Sequence, residues 1–133
     1  MAAPIECFSG GTESTFVADG VVEALRRSGW TAAAISPPPN PTLRFTMDEV
    51  VVECFSKRFD DPRNPSARVI AVMVCDEADR SCPAMPGAIR RVALPFQDPK
   101  RADGTNHERR TYDESSAEIA REMRYLVHRI HGD

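Results

Sequence analysis

One apolar run, RVIAVMVC at residues 68–75, constrains the fold of this chain more than any other segment. The run is rich in β-branched residues, and its apolar character does not alternate along the chain. This pattern is typical of a strand that is buried on both faces, as central strands of parallel sheets are. The run is also far shorter than the roughly 20 apolar residues that cross a bilayer. It therefore predicts a buried strand in the interior of a globular domain.

Other segments predict further strands around this one. Short apolar stretches predict strands at IECF (5–8), TAAAIS (31–36) and IRRVALPF (89–96). The stretch TLRFTMDEVVVECFSKRF (42–59) carries strand-forming residues without a clear period. Turn residues bound these segments, notably PPPNP at 37–41.

Two segments have the apolar spacing of helices. In the first, Val17, Val21 and Leu25 repeat at helical spacing, and Gly29 stands where the residue after a helix end belongs. In the second, Thr105 and Glu108 form a T-x-x-E capping box that predicts the start of a long terminal helix. Strands that alternate with helices predict an α/β domain with a mainly parallel sheet, as one domain over residues 1–133. The apolar stripe of the terminal helix is Tyr112, Ile119, Met123, Leu126 and Ile130.

Charge and cysteine content narrow the function classes. The 133 residues carry a net charge of −3, which gives no electrostatic reason to expect nucleic acid as a partner. No Lys/Arg cluster suggests a membrane surface, and MAAPIECFSGG at the start resembles no secretory signal. Four cysteines without an export signal favour reduced or redox-active thiols. We therefore predict a cytoplasmic protein without a membrane partner.

The segment CFSGGTES (7–14) has some features of a phosphate-binding loop with Cys7 as a thiolate nucleophile. Loops of that kind read C-x5-R-[S/T], because the bound oxyanion requires a bidentate arginine. Here the arginine position holds Glu13, and a carboxylate would repel both the thiolate and the substrate. The two glycines alone are a weak signal for an anion site. The residues favour the alternative, in which Cys7 is a small buried residue near a strand end.

Cys75 and Cys82 are the second candidate site. They are seven residues apart, and Cys75 ends the predicted central strand. Sites in open parallel sheets lie at the carboxyl ends of strands, so Cys75 is where a site is expected. The pair fits a reversible disulfide, but two buried cysteines fit the spacing equally well. A metal site would need further ligands, and none of the three histidines has convincing zinc-site spacing: His107, His128 and His131.

Asp98 follows the last predicted strand, in PFQDPKRADGT (95–105). An aspartate before proline is most often a turn-former. A carboxyl group on the same rim loop has a second possible use, as a general acid that protonates a leaving oxygen. Spacing alone favours the turn.

Taken in order, these segments resemble the superfamily of low-molecular-weight protein tyrosine phosphatases and thioredoxin-coupled arsenate reductases. VCDEADRSCPAMPG (74–87) is similar to the reductases' redox segment, and LPFQDPKRADGT (94–105) to the Asp-Pro loop. CFSGGTES (7–14) and FSKRFDDPRNP (55–65) resemble features of a bacterial branch. The resemblance covers nearly all of residues 5–127, and it sets Cys7 in the family's second strand rather than in the catalytic loop.

The resemblance implies a flavodoxin-like three-layer α/β/α fold and thiolate chemistry on tetrahedral oxyanions. Asp98 would be the general acid, and Cys75 and Cys82 the redox pair that passes oxidation to thioredoxin. Substrates would be phosphate or arsenate oxyanions or phosphotyrosine, with no cofactor and no metal. Alternatives are a phosphatase with vestigial cysteines and a non-catalytic binding or regulatory protein that keeps the scaffold.

One departure from the family pattern is severe. The family's first, central strand and its C-x5-R-[S/T] loop do not occur in this sequence. Without that strand, IECFS (5–9) and RVIAVMVC (68–75) would lose a shared neighbour and leave backbone groups unpaired. The sequence therefore predicts an N-terminally truncated member, from a late start or a degenerate copy, that is inactive as it stands.

Overall fold

The computed structural model of the chain describes residues 4–74, 85 and 87–132. Within them lie two α-helices, five strands and one 3₁₀ turn. The helices are α1 (Asp19–Arg27) and α2 (Glu108–Ile130), and the 3₁₀ turn spans Pro99–Ala102. The strands are β1 (Thr31–Ala34), β2 (Leu43–Met47), β3 (Val50–Cys54), β4 (Val69–Met73) and β5 (Ala88–Ala93).

Strands β1, β2 and β3 form an antiparallel sheet in that order. The long strand-forming stretch at 42–59 is thus a hairpin, in which Met47 pairs with Val50 across a two-residue turn. Asp48 adopts φ +52° in that turn, a conformation that Asp tolerates better than most residues. On the central strand β2, Leu43 and Phe45 are buried, whereas β3 is largely exposed.

Strands β4 and β5 form a separate parallel pair. The pairing continues past the strand ends, because the Leu94 N–H donates to the Met73 carbonyl at 2.9 Å. Ala71 and Met73 of β4 are buried, and Phe59, Met85 and Ala88 pack against them. The apolar run therefore forms the predicted parallel strand over its described residues. The predicted burial on both faces is wrong, because Ile70 and Val72 on the opposite face are only half-buried and β5 is the one described strand beside β4.

Helix α1 ends as the sequence predicts. Gly29 takes φ +110°, and its N–H donates to the Arg26 carbonyl at 3.0 Å. The Trp30 N–H donates to the Leu25 carbonyl, also at 3.0 Å. These two bonds form a Schellman motif, which requires a left-handed residue after the helix end. The end of α1 is therefore fixed by a glycine that no other residue replaces without strain.

Helix α2 packs on α1 through one close approach. The Tyr112 ring is buried against Gly20, and a Cβ atom at Gly20 would overlap that ring. An Arg27–Asp113 ion pair at 2.7 Å lies alongside. Gly20 therefore allows the two helices to approach within the width of an aromatic ring.

The start of α2 differs from the prediction. The helix begins at Glu108, with His107 rather than Thr105 at the preceding position. The Thr105 hydroxyl donates to the Ala102 carbonyl at 2.6 Å and accepts the His107 N–H at 3.2 Å. Because local bonds occupy this hydroxyl, the predicted capping box does not form.

The α/β class is confirmed, but the predicted mainly parallel sheet is only partly correct. The described strands form an antiparallel sheet and a parallel pair, so the sheet structure is mixed. The strand predicted at 5–8 is wrong, since these residues form no strand and the nearest β-pairing among the described residues is an isolated bridge between Gly11 and Arg58. A strand needs a continuous neighbour for its ladder, and the described residues supply none there. The flavodoxin-like arrangement stays a prediction.

The packed interior is small. The chain exposes 9758 Å², against roughly 7,000 Å² for a compact monomer of this mass. Among the described residues, no side chain is less than 2% exposed. No helix within the described ranges combines the length and apolar character that a bilayer crossing requires.

Candidate functional site

The candidate site is the rim where β4 and β5 end. Because the two strands are parallel, their carboxyl ends meet at the same edge of the sheet. The Phe96 N–H donates to the Val74 carbonyl at 2.7 Å, so the segment after β5 starts beside the end of β4. Cys75 follows Val74 in the sequence, and Asp98 lies two residues beyond Phe96. The Asp98 loop therefore starts beside Val74, the residue that precedes Cys75 in the sequence.

Asp98 is exposed and begins the 3₁₀ turn, with Pro99 at the first position of that turn. Its Oδ1 atom accepts the Lys100 N–H at 3.0 Å. Its backbone carbonyl accepts Nη1 of Arg101 at 2.9 Å. Asp98 is therefore a turn-former, and one carboxylate oxygen holds the turn while the group remains open to solvent. A general acid must be accessible and fixed in position, and this geometry meets both requirements.

A buried tyrosine anchors the Asp98 loop to α2. The Tyr112 hydroxyl donates to Oδ1 of Asp103 at 2.8 Å, and the residue is 4% exposed. Burial raises the pKa of Tyr112 to about 12, and the Asp103 hydrogen bond and nearby carboxylates, Asp98 among them, act in the same direction. The neutral phenol is therefore the stable form, and it ties the far end of the loop to the helix.

A cavity of about 310 Å³ lies between this loop and α2. Arg101 and Glu118 contribute the charged groups in its lining. Arg101 also donates to the Asp98 backbone carbonyl at 2.9 Å, which ties its guanidinium to the Asp98 turn. The remaining lining residues are Pro95, Phe96, Gln97 and Ser115.

The glycine segment that contains Cys7 has another role. The Gly11 N–H donates to the Lys57 carbonyl, and the Gly11 carbonyl accepts the Phe59 N–H, both at 2.9 Å. A Cβ atom at Gly10 would overlap the Phe59 backbone. The Gly11 N–H is thus already bonded and does not point at an anion. Cys7 is exposed rather than buried, so the predicted buried position is also wrong.

The segment at 9–15 is held by the segment at 55–64, and we call this contact the clasp. Ser14 and Thr15 bond Ser56 through three hydrogen bonds of 2.9–3.3 Å. The Asn40 side chain donates to the Ser56 carbonyl at 2.7 Å and accepts the Ser56 N–H at 3.3 Å. The clasp joins the two segments that resemble the bacterial branch. Sequence reasoning identified both segments but not their contact.

Charged side chains surround the clasp. Hydrogen bonds from the Arg63 side chain and backbone lower the pKa of Asp61 to about 2. Arg63 and Lys57 lie over the Phe55 ring, at 4.3 and 4.9 Å from its centre. Oδ1 of Asn64 is buried and accepts no hydrogen bond from the described residues.

The other predicted site residues divide between described and undescribed parts of the chain. Cys75 and Cys82 lie outside the described residues, so their pairing stays a prediction. Cys54 is half-buried, and burial raises the pKa of its thiol although Lys57 opposes the shift. A raised thiol pKa disfavours the thiolate that a nucleophile needs. Within residues 4–74, 85 and 87–132, no group of three His, Cys, Asp or Glu side chains is arranged to hold a metal ion.

Comparison with known proteins adds no relative. No family model, no curated protein and no solved structure matches the chain. The functional assignment therefore depends on the residues of the chain and on the geometry of the rim.

Proposed function

We propose that this chain is part of an enzyme of the low-molecular-weight protein tyrosine phosphatase and arsenate reductase superfamily. The complete enzyme acts on a tetrahedral oxyanion through a cysteine thiolate, and this chain alone has no turnover. The observation that carries the proposal is the position of Asp98. It lies in a fixed Asp-Pro turn, at the rim where the parallel strands β4 and β5 end.

The chemistry assigned to Asp98 follows from its surroundings. When a thiolate displaces an oxygen leaving group, that oxygen gains negative charge and requires a proton. Asp98 is exposed at the rim, and its loop is held by the 3₁₀ turn and by the Asp103–Tyr112 hydrogen bond. Cys75 and Cys82, if the enzyme is a reductase, close a disulfide that thioredoxin reduces. A flavodoxin-like arrangement and a cytoplasmic location are part of the same proposal.

The sequence supports the claim that the chain alone is inactive. No cysteine in it is followed by five residues and then an arginine. The strand ladder agrees, because the described residues give β4 one neighbouring strand, β5.

A second candidate function is a non-catalytic binding protein that keeps the same scaffold. The missing C-x5-R motif favours it. The valine-rich, exposed strand β3 also favours it, because an apolar sheet edge recruits other chains. The two candidates differ in one respect that an experiment can measure: only the first gains turnover when the loop is supplied.

The test is restoration of the missing segment. A strand, a C-x5-R-[S/T] loop and a helix from a phosphatase of the superfamily are fused ahead of Met1. Hydrolysis of p-nitrophenyl phosphate and thioredoxin-coupled reduction of arsenate are measured for the chain and for the fusion. The matched control is the same fusion with its loop cysteine changed to serine.

We expect no turnover from the chain, turnover from the fusion, and loss of that turnover in the serine control. Circular dichroism establishes that each protein is folded. A folded fusion that turns over neither substrate would contradict the enzyme assignment and favour the binding protein. Hydrolysis by the chain itself that disappears in Cys7→Ser would show that the nucleophile lies elsewhere than proposed.

A further inference from the structure

The outer edge of β3 is an open, apolar strand edge. Val50, Val51 and Val52 are 55%, 56% and 46% exposed. In the part of the chain that the structure describes, β2 is the only strand that pairs with β3. Protein surfaces rarely leave such an edge uncovered, because its free N–H and C=O groups accept another strand.

The hairpin determines which groups of β3 point outward. Met47 and Val50 flank the two-residue turn, so they form a hydrogen-bonded pair. Hydrogen-bonded and non-bonded pairs alternate along an antiparallel ladder. Val52 therefore bonds β2, and Val51 and Glu53 direct their backbone N–H and C=O groups to the open edge.

Apolar side chains on one face of the sheet are buried on β2 but exposed on β3. Phe45 of β2 pairs with Val52 of β3, so their side chains share one face. Phe45 is 4% exposed, whereas Val52, one strand further out, is 46% exposed. A further strand beside β3 would cover Val52 on the side where the sheet now ends.

We propose that β3 pairs with β3 of a second copy of this chain, antiparallel and about a two-fold axis at Val52. In this register, Val52 faces Val52 of the partner subunit. Val51 faces Glu53 of the partner subunit, and Glu53 faces Val51 of the partner subunit. Each of these two pairs exchanges two backbone hydrogen bonds, so the ladder gains four.

Charge favours this register over the two centred on the neighbouring outward-facing residues, Val51 and Glu53. An axis at Val51 would place Glu49 opposite Glu53 of the partner subunit, and an axis at Glu53 would place two Glu53 carboxylates opposite each other. Like charges directly opposite destabilise a strand pair. About Val52, each Glu53 instead faces Val51 of the partner subunit, so no carboxylate lies directly opposite another. Val52 also meets Val52 of the partner subunit, so the exposed apolar edge of one copy covers that of the other. This match is why the partner is a second copy.

The test measures the mass of the chain by light scattering during size-exclusion chromatography, over a range of micromolar concentrations. The wild type is expected to reach twice the 14.7 kDa chain mass. Val51→Pro removes an outward N–H without removing a β2–β3 bond, so it is expected to be monomeric. Val51→Thr keeps the outward N–H and is the matched control that stays dimeric. Circular dichroism establishes that the variants are folded.

A cross-link tests the register. Val52→Cys places two cysteines opposite each other in a non-hydrogen-bonded pair, where Cβ atoms are close enough for a disulfide. Mild oxidation is expected to give a dimer in which peptide mapping finds a link from residue 52 to residue 52. Val21→Cys, exposed on α1, is the control that gives no such dimer. A wild type that is monomeric at every concentration, or a Val51→Pro protein that remains dimeric, overturns the proposal.

Discussion

Replacing Tyr112 by phenylalanine removes one hydroxyl group from the contact that anchors the Asp98 loop to α2. The hydroxyl donates to a carboxylate at 2.8 Å from a residue that is 4% exposed. Hydrogen bonds to charged acceptors are worth about 1.5–3 kcal/mol. Asp103 is itself exposed, so water replaces part of the lost bond. We therefore expect the free energy of unfolding to fall by about 1 kcal/mol at neutral pH.

The same substitution changes the alkaline limb of the stability curve. The folded-state pKa of Tyr112 is about 12, above the ordinary value of 10.0. A raised pKa stabilises the folded state fully below pH 10, and this contribution disappears as the pH rises from about 10 to about 12. The difference between the folded-state pKa of about 12 and the ordinary value of 10.0 corresponds to about 2–3 kcal/mol in the free energy of unfolding. Tyr112→Phe should abolish this part of the decrease in the free energy of unfolding at alkaline pH.

The assay is urea unfolding at a series of pH values, with Tyr125→Phe as the matched control. Tyr125 is the other tyrosine in the chain and is 63% exposed, so its substitution should change neither the neutral stability nor the alkaline slope. Equal unfolding free energies for wild type and Tyr112→Phe across this pH range would show that the Tyr112–Asp103 hydrogen bond does not stabilise the fold. If Tyr125→Phe alone removed the decrease in unfolding free energy at high pH, the assignment of that decrease to Tyr112 would also be refuted.

Three further predictions concern the clasp and the cysteine segment. Asn40→Ala should lower the free energy of unfolding by roughly 1–3 kcal/mol, because hydrogen bonds of 2.7 and 3.3 Å to the Ser56 backbone are lost. Urea unfolding measures this change, and an unchanged free energy of unfolding would contradict the prediction. Arg63→Gln should raise the pKa of Asp61 from about 2 toward 3.8, as followed by carboxyl NMR titration. Cys75 and Cys82 should form a disulfide under mild oxidation, and mass mapping that finds both thiols free would contradict this.

Patterns of neighbouring residues in the sequence predicted the elements that neighbouring residues determine. The parallel strand β4 and the glycine that ends α1 were both predicted correctly, because a run of β-branched residues and a glycine after a helical repeat are visible in the sequence. Burial of β4 on both faces was not, because it depends on which segments pack against the strand. The predicted capping box was also local but wrong, since the Thr105 hydroxyl had two nearer partners. Residue type alone does not show which of several local bonds a hydroxyl forms.

Features that depend on distant segments were not predictable in the same way. The segment at 5–8 has the composition of a strand, but a strand forms only beside a neighbour. The clasp joins residues more than 40 positions apart, through bonds that no periodicity encodes. At the rim, sequence order correctly placed Asp98 after a strand, whereas its partners Lys100 and Arg101 became visible only in the turn itself.

We propose that Asp98 acts as a general acid, and the dependence of the rate on the leaving group tests this role. In the restored fusion, kcat is measured for phenyl phosphate, a poor leaving group, and p-nitrophenyl phosphate, a good one. Asp98→Asn should lower kcat for the poor leaving group by about 10²–10⁴ and change it little for the good one. Asp48→Asn, in the β2–β3 turn where φ is +52°, is the matched control and should change neither. Equal losses for both substrates would mean that Asp98 only forms the turn.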